Sequence, residues 1–514
     1  MDKLPRIRDY FAQRSVLLTG GTGFIGMGLI EGLLSASPDL QRIYVVVREK
    51  KGLAPQERLV RLLSSEIFNH HAADVKAKVV AVVGELTAEN LGLSEEILRE
   101  IRENVSVVIH NAGLIKFNRS LREAVTMNVL TTLRCIELAK SLRNLSAFIF
   151  SSTALANSNI SGRIKEEIYK TKKSPREMIK LALETPSTID KEVKIRSDLI
   201  EGQQNTYCYS KQLAENLILE EMAGLPAGIV RPSLVYGFYK HEIPGWMGSS
   251  QSGHCGLIRI MVKGAGRSMY GDPKSVYFSC PCDHVVNAIL VLAVAVGTHP
   301  PSAKAPEIVH VSNNVEVNPV RTKDMVRYLN EEAWKNPCDS YAFLPRCKIR
   351  NGLRADFYFL AMYVMALFFF IPERIFPISP PWMRSFHLVE LQRKARIYFT
   401  EISSCITDLS LENAIKYTKN LHPEDAQKYS FDPSDVDYRK LIASSISWVR
   451  KYYYKDSNYV TWMHRVVQIG FLLLEFFSYT GVFVVSTVAV FFMSSSWLIG
   501  ACVGLLLTIF AVWV

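Results

Sequence analysis

Short apolar runs alternate with segments of helical periodicity over the first 230 or so residues of this 514-residue chain. The runs are continuous rather than alternating, as expected for parallel strands that are covered on both faces of a sheet. The predicted strands are Ser15–Leu18, Ile43–Val47, Val79–Val83, Val105–Ile109, Ala147–Phe150 and Ala227–Val230. Because helical segments separate them, the pattern predicts an α/β fold with a Rossmann-like, doubly wound parallel sheet. Its ligand should lie at the carboxyl ends of the strands.

The rest of the chain divides by composition. We predict a catalytic domain at 1–300 with a substrate subdomain from about 232, a connecting region at 301–379, and a small helical C-terminal domain at 380–455. Within the connecting region, the apolar run 357–371 is short for a bilayer span and favours a buried or interfacial helix. The polar segment 160–204 is either an insertion or lid beside the site or a solvated surface loop.

The C-terminal residues are apolar over two consecutive stretches. Val466–Phe492 contains one charged residue, Glu475, and Trp497–Val514 contains none. Since a bilayer span needs about 20 apolar residues, we predict a transmembrane anchor over 466–514, either one long span or a hairpin. Basic residues just before it suit a cytoplasmic flank, so the catalytic part should face the cytosol. A buried helix pair is the soluble alternative.

Charge and cysteine content narrow the function classes. The net charge of +11 comes without a block rich in Lys and Arg, so nucleic acid is not an expected partner, and the excess can meet anionic lipid or ligand phosphates. The nine cysteines are scattered without metal-ligand spacing and are typical of cytosolic thiols. No metal site is predicted.

A glycine-rich turn follows the first predicted strand. The stretch Thr19-Gly20-Gly21-Thr22-Gly23-Phe24-Ile25-Gly26 has the spacing G-x-x-G-x-x-G and opens an apolar-periodic helix. Gly20 permits a tight turn, Gly23 lets backbone approach a pyrophosphate, and Gly26 lets the helix pack on the strand. Unpaired N–H groups at the helix start favour the phosphates. The turn therefore predicts a bound dinucleotide and redox chemistry, with a purely structural turn as the alternative.

Tyr207 and Lys211 form the pattern Tyr-x-x-x-Lys at the start of another periodic helix. Positions four apart share a helical face, so both polar ends can meet one ligand. A reductase needs a proton donor near the substrate oxygen, and a neighbouring ammonium should lower the pKa of the phenol from about 10. Thr153 or Ser152, after the fifth strand, can donate to the same oxygen. A Tyr and a Lys on a helix surface are the non-catalytic alternative.

Arg48 follows the second predicted strand, where an acidic residue would hold the ribose 2′-hydroxyl of NAD and an Arg accommodates the 2′-phosphate of NADP. Glu49 leaves NAD open if the turn is displaced by one residue. The cations around Arg48 favour NADPH.

Together these motifs resemble the extended short-chain dehydrogenase/reductases. They include Gly84-Glu85-Leu86, His110-Asn111-Ala112-Gly113 and Ser151-Ser152-Thr153-Ala154. Within that group the chain is similar to the alcohol-forming fatty acyl-CoA reductases. The discriminating stretches are Pro55-Gln56-Glu57-Arg58-Leu59, Phe117-Asn118-x-x-Leu121-Arg122-x-Ala124-Val125-x-x-Asn128-Val129, Asn205-Thr206-Tyr207, Arg231-Pro232-Ser233-Leu234-Val235, Pro244-Gly245-Trp246 and Leu421-His422-Pro423-Glu424-Asp425.

The resemblance implies a role for each matching position. The cofactor would be held by Thr19, Gly20, Gly23, Phe24, Ile25, Gly26, Arg48, Glu85, Leu86, Ala112, Lys211 and Pro232. Tyr207 would be the acid and Lys211 its activator, with Thr153 or Ser152 as the carbonyl-binding hydroxyl. The implied reaction is reduction of a long-chain acyl-CoA by two NADPH, through a retained aldehyde, to a primary alcohol.

Two other functions stay open from the sequence. One is a membrane-bound hydroxysteroid or sterol dehydrogenase on the same fold, and the other is a catalytically silent nucleotide-binding membrane tether. The expected partners are long-chain acyl-CoA and membrane lipid, and a homodimer is an assembly that the sequence allows. Endoplasmic reticulum is the favoured membrane, with peroxisome and lipid droplet as alternatives.

Overall fold

The computed structural model describes residues 3–50, 52–117, 119–184, 200–248, 253–264, 266–299, 305–339, 344–350 and 406–456, with short stretches and single residues between 352 and 505. The strands within this part of the chain are β1 (Ser15–Thr19), β2 (Arg42–Val47), β3 (Val79–Val83), β4 (Val105–His110), β5 (Ala147–Ser151), β6 (Arg163–Ile164), β7 (Ala227–Pro232), β8 (Leu234–Tyr236), β9 (Ser268–Tyr270), β10 (Ser279–Pro281), β11 (Glu307–Val311), β12 (Lys348–Arg350) and β13 (Asp408–Leu409).

The α-helices are α1 (Ile7–Phe11), α2 (Phe24–Ala36), α3 (Pro55–Leu63), α4 (Ala73–Lys76), α5 (Glu95–Asn104), α6 (Leu121–Val125), α7 (Thr131–Lys140), α8 (Pro175–Glu184), α9 (Thr206–Glu221), α10 (Gly253–Val262), α11 (Cys282–Thr298), α12 (Thr322–Lys335), α13 (Glu412–Lys419) and α14 (Tyr438–Trp448). Short 3₁₀ turns lie at Glu66–Phe68, Glu89–Gly92, Ala154–Asn157 and Pro433–Asp435, and π-helical turns at Thr126–Leu130 and Val449–Tyr454.

Seven parallel strands form the main sheet in the order β11-β7-β5-β4-β1-β2-β3. The six strands predicted from the apolar runs are all present, which confirms the Rossmann-like parallel sheet. The seventh strand, β11, was not predicted, and it pairs with β7 at one edge. The chain reverses direction across the sheet between β1 and β4, where Thr19 is paired with His110. In a doubly wound sheet this switch point is where a dinucleotide binds.

Helices cover both faces of the sheet. Phe148 and Phe150 of β5 belong to a buried cluster that includes Leu213 of α9, whereas Ile149 lies on the other side with Leu292 of α11. Because successive strand residues point to opposite faces, both faces are apolar, which explains the continuous hydrophobic runs. On the α11 side, a side chain at Gly32 of α2 would meet Val286 at 2.5 Å.

The chain divides into two compact units. The first contains the sheet and consists of residues 1–254, 276–320 and 405–441, and the second consists of residues 255–275, 321–404 and 442–514. In the first unit the late segment returns to the start of the chain, since the Ile7 backbone N–H donates to Asp425 Oδ2 at 2.8 Å. It also binds an internal segment, since the Asn413 backbone N–H donates to Glu166 Oε2 at 2.6 Å. The second unit contains the parallel pair β9 and β12. The predicted domain boundaries stay predictions.

Part of the polar segment 160–204 is packed rather than solvated. Within it, α8 buries Met178, Ile179 and Ala182 in the same cluster as α9, whereas residues 185–199 lie outside the described part. Of the apolar run 357–371 only 357–360 and 363 are described, all of them helical, with Phe357 and Leu360 exposed. Most of the predicted anchor at 466–514 also lies outside the described part. Among the described residues, no helix combines the length and the apolar character that crossing a bilayer requires.

Candidate active site

The glycine-rich turn joins β1 to α2 as the sequence predicts. Gly20 has a φ of +73°, and a Cβ there would lie 2.7 Å from the backbone nitrogen of Ala112. A Cβ at Gly26 would collide with the carbonyl oxygen of Gly20. Helix α2 begins without a side-chain cap, which leaves its first N–H groups available to an anion. This cradle fits a pyrophosphate and has no room for side chains at Gly20 and Gly26.

A buried histidine fixes the adjoining strand ends. His110 Nδ1 lies 2.7 Å from the Thr19 hydroxyl, and His110 Nε2 lies 3.1 Å from the Thr132 hydroxyl. The Ala112 backbone N–H also donates to Thr19 Oγ1 at 3.3 Å. Burial lowers the pKa of His110 to about 3, and the nearby Lys211 ammonium acts in the same direction. His110 is therefore a neutral imidazole at the switch point, and its hydrogen bond with Thr19 helps to fix the ends of β1 and β4.

Two arginines meet at the end of β2. The exposed Arg48 lies 3.9 Å from Glu85, which follows β3, and Arg58 of α3 donates a hydrogen bond to the Arg48 carbonyl oxygen. Burial and the neighbouring Arg48 charge lower the pKa of Arg58. Leu86 is half-buried against the sheet core. In the sequence Arg58 stands out only as part of a family motif, because its approach to Arg48 depends on the turn between β2 and α3.

The side chains of Tyr207 and Thr153 are hydrogen-bonded to each other. Tyr207 lies in the first turn of α9, whose cap residue Asn205 accepts a hydrogen bond from the Cys208 backbone at 3.0 Å. Burial raises the pKa of Tyr207 above its ordinary value, and the Cys208 thiol adds to the rise, whereas a hydrogen bond with Thr153 opposes it. The spacing predicts that Lys211 lowers this pKa, but in the structure the group that lowers it is Thr153, and burial dominates. Tyr207 is therefore a protonated phenol at neutral pH, as an acid must be.

Lys211 lies one turn further along α9 and is 4% exposed. Its ammonium donates to the Ser151 carbonyl oxygen at 2.8 Å and lies 4.6 Å from the centre of the Phe150 ring. Burial lowers its pKa to about 8, against a raising effect of Glu215. A Cβ at Gly113 would lie 3.2 Å from this ammonium, so Lys211 reaches the loop after β4 as well as the end of β5.

The Ser152 hydroxyl is hydrogen-bonded to Glu215. It donates to Glu215 Oε1 at 2.6 Å, and Glu215 forms a fully buried, two-pronged ion pair with Arg231 at 2.8 and 2.7 Å. Arg231 also donates to the carbonyl oxygens of Lys165 and Glu167. Of the two hydroxyls that the sequence left open, the one that reaches Tyr207 is Thr153.

The remaining predicted residues lie around this edge of the sheet. Pro232 ends β7, and its carbonyl oxygen lies 3.5 Å from Thr153 Oγ1. Phe24 and Ile25 open α2 and are half-buried, with the Phe24 ring 5.6 Å from the ring of Trp246. A further buried residue, Asn128, organises the loop after β4.

Asn128 is buried. Its side chain accepts from the Leu114 backbone N–H at 2.7 Å and donates to the Leu114 carbonyl oxygen at 3.1 Å. It also donates to the Ser210 hydroxyl at 2.8 Å. Asn128 thus connects the loop after β4 to α9, and only its place in a family motif marked it in the sequence.

Comparison with known proteins identifies the family of this chain. The NAD-binding male sterility protein family matches residues 18–289. A putative fatty acyl-CoA reductase of Drosophila melanogaster is 37% identical over 99% of this chain and 93% of its own length. Fatty acyl-CoA reductase 1 of Rattus norvegicus is 31% identical over 87% of this chain and 86% of its own.

Solved structures are similar in fold. The terminal reductase domain of the myxalamid biosynthetic pathway superposes with a TM-score of 0.56 at 20% identity, covering 85% of this chain and 91% of that domain. A reductase domain of a non-ribosomal peptide synthetase from Mycobacterium tuberculosis gives 0.55 at 18% identity, covering 87% and 93%. At these identities the likeness concerns the fold alone.

Proposed function

The chain belongs to the fatty acyl-CoA reductase family, and from that premise we propose that it reduces a long-chain acyl-CoA to a fatty alcohol with NADPH. The enzyme is an oxidoreductase with an NAD(P)-binding domain. The proposal extends this to the identity of the cofactor, the aldehyde intermediate and the roles of individual side chains.

The observation that supports the chemistry most directly is the pairing of Tyr207 with Thr153 in apolar surroundings. Tyr207 packs with Leu155, Phe117 and Ile406, which suits an acyl chain beside its hydroxyl. When bound, a reduced nicotinamide supplies hydride to the thioester carbon. Tyr207 then donates its proton to the substrate oxygen, and Thr153 holds that oxygen by a second hydrogen bond. Loss of CoA from the resulting hemithioacetal returns the hydroxyl proton through Tyr207 to the thiol sulfur and leaves an aldehyde. The same two hydroxyls would serve its reduction by a second NADPH, once Tyr207 has regained a proton from solvent.

Lys211, one turn further along α9, is the proposed partner of Tyr207. Its ammonium is anchored by the Ser151 carbonyl oxygen, so its charge is held near the end of β5. A fixed positive charge there stabilises the phenolate that remains after Tyr207 has donated its proton. Asn128 keeps the loop after β4 in place, and the glycine turn holds the pyrophosphate.

The choice of NADPH rests on Arg48 and Arg58. Two guanidinium groups at the end of β2 offer the donors that a 2′-phosphate requires, whereas NAD would need a free carboxylate there. Glu85 is the carboxylate nearest to Arg48 and is 3.9 Å from it. The two arginines therefore favour the phosphorylated cofactor.

The experiment that tests the proposal is a stoichiometry and product assay with purified full-length chain and palmitoyl-CoA. We expect about two NADPH consumed per CoA released, with hexadecanol as the product. Release of free aldehyde with one NADPH per CoA would overturn the alcohol-forming function. Turnover of a steroid with NAD⁺, without turnover of acyl-CoA, would favour the dehydrogenase alternative.

We also propose that the chain acts at a membrane, through an anchor in residues 466–514. Support comes from the two apolar stretches there and from the basic residues before them. Endoplasmic reticulum, with the catalytic unit in the cytosol, is the proposed location. Alkaline extraction of membranes tests it, because an anchored chain stays in the pellet and a peripheral one is released.

A further inference from the structure

Three histidines surround one buried glutamate on the helix that begins at the glycine turn. Glu31 Oε1 of α2 lies 3.5 Å from His70 Nε2, 3.9 Å from His71 Nε2 and 3.5 Å from His241 Nε2. The Glu31 side chain is 8% exposed, and the Ser35 hydroxyl donates to the same oxygen at 2.6 Å. None of these residues takes part in the proposed reduction.

His71 has a feature that its neighbours lack. Its side chain is 7% exposed, and its Nε2, which lies 3.9 Å from Glu31 Oε1, is buried without a hydrogen-bond partner among the residues that the structure describes. A buried ring nitrogen with no partner is costly, because its hydration is lost without replacement. An imidazole nitrogen in this position can present its lone pair to a metal ion.

The contacts of the outer ring nitrogens distinguish the histidine that holds Glu31 in place from the histidine that could bind a metal ion. His241 Nδ1 accepts a hydrogen bond from the Ile243 backbone N–H at 3.1 Å, so the ring proton lies on Nε2 and His241 is a donor to Glu31. His70 also turns its Nε2 toward Glu31, but behind its outer nitrogen is a carboxylate instead of a backbone N–H, since His70 Nδ1 lies 3.8 Å from Glu242 Oε2. A carboxylate behind the outer nitrogen is the usual arrangement for a metal-binding histidine.

We propose that Glu31, His70 and His71 bind a divalent metal ion, with zinc as the preferred ion. Their ligand atoms lie within 4.8 Å of one another. In a tetrahedral zinc site, bonds of about 2.0 to 2.2 Å place neighbouring ligand atoms about 3.3 Å apart. The observed spacings of 3.5 and 3.9 Å need only a small contraction.

Charge and ligand type support zinc over magnesium or calcium. Two imidazole nitrogens and one carboxylate match the borderline-soft preference of zinc, whereas magnesium and calcium prefer oxygen ligands. Glu31 and Glu242 face the cluster with negative charge, and Lys76 opposes them with one positive charge. A water molecule would complete the coordination of the ion. His241 would remain a hydrogen-bond donor to the Glu31 carboxylate.

The ion would connect α2 to the segment after Glu66–Phe68. Glu31 lies seven residues after the start of α2, so the ion would steady the helix whose first turn receives the pyrophosphate. This role is structural and needs no part in the hydride transfer. An experiment that shows no metal binding would therefore leave the proposed reductase function unaffected, and a chain without reductase activity could still bind the metal.

The test is zinc binding by the full-length chain, purified without a polyhistidine tag and stripped with a chelator. Titration against a competing chromophoric chelator should give one zinc per chain, and cobalt should give the visible absorption of a four-coordinate site. We expect His71→Ala and Glu31→Gln to weaken zinc binding at least about tenfold. The control is His299→Ala, at an exposed histidine after α11.

Folding is checked separately by thermal unfolding of each stripped protein. His70→Ala gives a second test, because His70 is exposed and its truncation leaves the core intact. Zinc should raise the unfolding temperature of the unaltered chain and not that of the His70 or His71 variants. Binding that is absent, or equally tight in all variants, would overturn the metal site and leave a histidine–carboxylate network.

Discussion

The Ser152 hydroxyl donates to Glu215 at 2.6 Å, and this one contact distinguishes two neighbouring hydroxyls at the end of β5. Adjacent residues of an extended chain point in opposite directions. Ser152 turns toward the buried Glu215–Arg231 ion pair, and Thr153 turns toward Tyr207. The Ser152 hydroxyl is therefore bound to a buried ion pair, whereas the Thr153 hydroxyl lies beside Tyr207, 3.5 Å from the Pro232 carbonyl oxygen.

Thr153→Val should lower kcat/KM for acyl-CoA by about 100-fold, as does removal of a single donor to a developing oxyanion in other enzymes. Its unfolding temperature should change little. Ser152→Ala should show the reverse, losing about 1–3 kcal/mol of stability because Glu215 loses a donor while staying buried. Steady-state kinetics and chemical denaturation of both variants check this, and a catalytic loss confined to Ser152→Ala would contradict it.

Tyr207→Phe should lower kcat by about 10²- to 10⁴-fold, because the variant lacks the general acid and keeps the ring packing. Tyr209→Phe is the matched control, since the Tyr209 hydroxyl donates to Glu201 at 2.9 Å and is two residues from Lys211. It should retain most activity. Full turnover by Tyr207→Phe, measured as NADPH oxidation, would remove Tyr207 from the mechanism.

Arg48→Gln and Arg58→Gln should each raise the KM for NADPH about tenfold or more and leave the KM for NADH nearly unchanged, since only NADPH carries the 2′-phosphate. Arg61→Gln is the control, because Arg61 is exposed on the same helix as Arg58. A parallel loss of affinity for both cofactors would mean that the arginines support the fold and do not read the phosphate.

Activity should fall at high pH because of Lys211. Burial lowers its pKa to about 8, so its charge is present below that pH and is lost as the pH rises through it. Tyr207, with its pKa raised, keeps its proton over this range. The kcat/KM profile of the enzyme should therefore have a basic limb near pH 8.

The exposed Lys180 offers a control for that profile, because it lies on α8 among surface side chains. Lys180→Gln should keep the same limb as the unaltered enzyme. A profile that stays flat well above pH 9 would show that the Lys211 ammonium is not needed for turnover.

The sequence predicted most of the sheet because each central strand is buried on both faces and is therefore apolar throughout. It missed β11, whose run Glu307–Val311 begins with a charge and contains a histidine. His310 is explained only by its neighbours, since it faces Arg231 at 3.3 Å and the Ser410 carbonyl oxygen at 2.8 Å. Such a pattern depends on contacts between segments that are far apart in sequence.

The candidate site divides in the same way. The glycine turn and the Tyr207–Lys211 pair are local patterns, so spacing alone predicts them. The choice of Thr153 over Ser152 depends on Glu215, more than sixty residues away, and the approach of Arg58 to Arg48 depends on a turn. The cluster around Glu31 joins three separate segments, and no single segment has metal-ligand spacing.

The return of residues 405–441 to the first unit has a consequence for how the protein is made. Ile7 is synthesised 418 residues before its partner Asp425, and Glu166 is synthesised 247 residues before its partner Asn413. The first unit is therefore incomplete through most of translation. Until residues 405–441 have been synthesised, the Ile7 backbone N–H and the Glu166 carboxylate must be solvated or covered by chaperones. A chain truncated before residue 405 would lack this part of the first unit and could not form these hydrogen bonds.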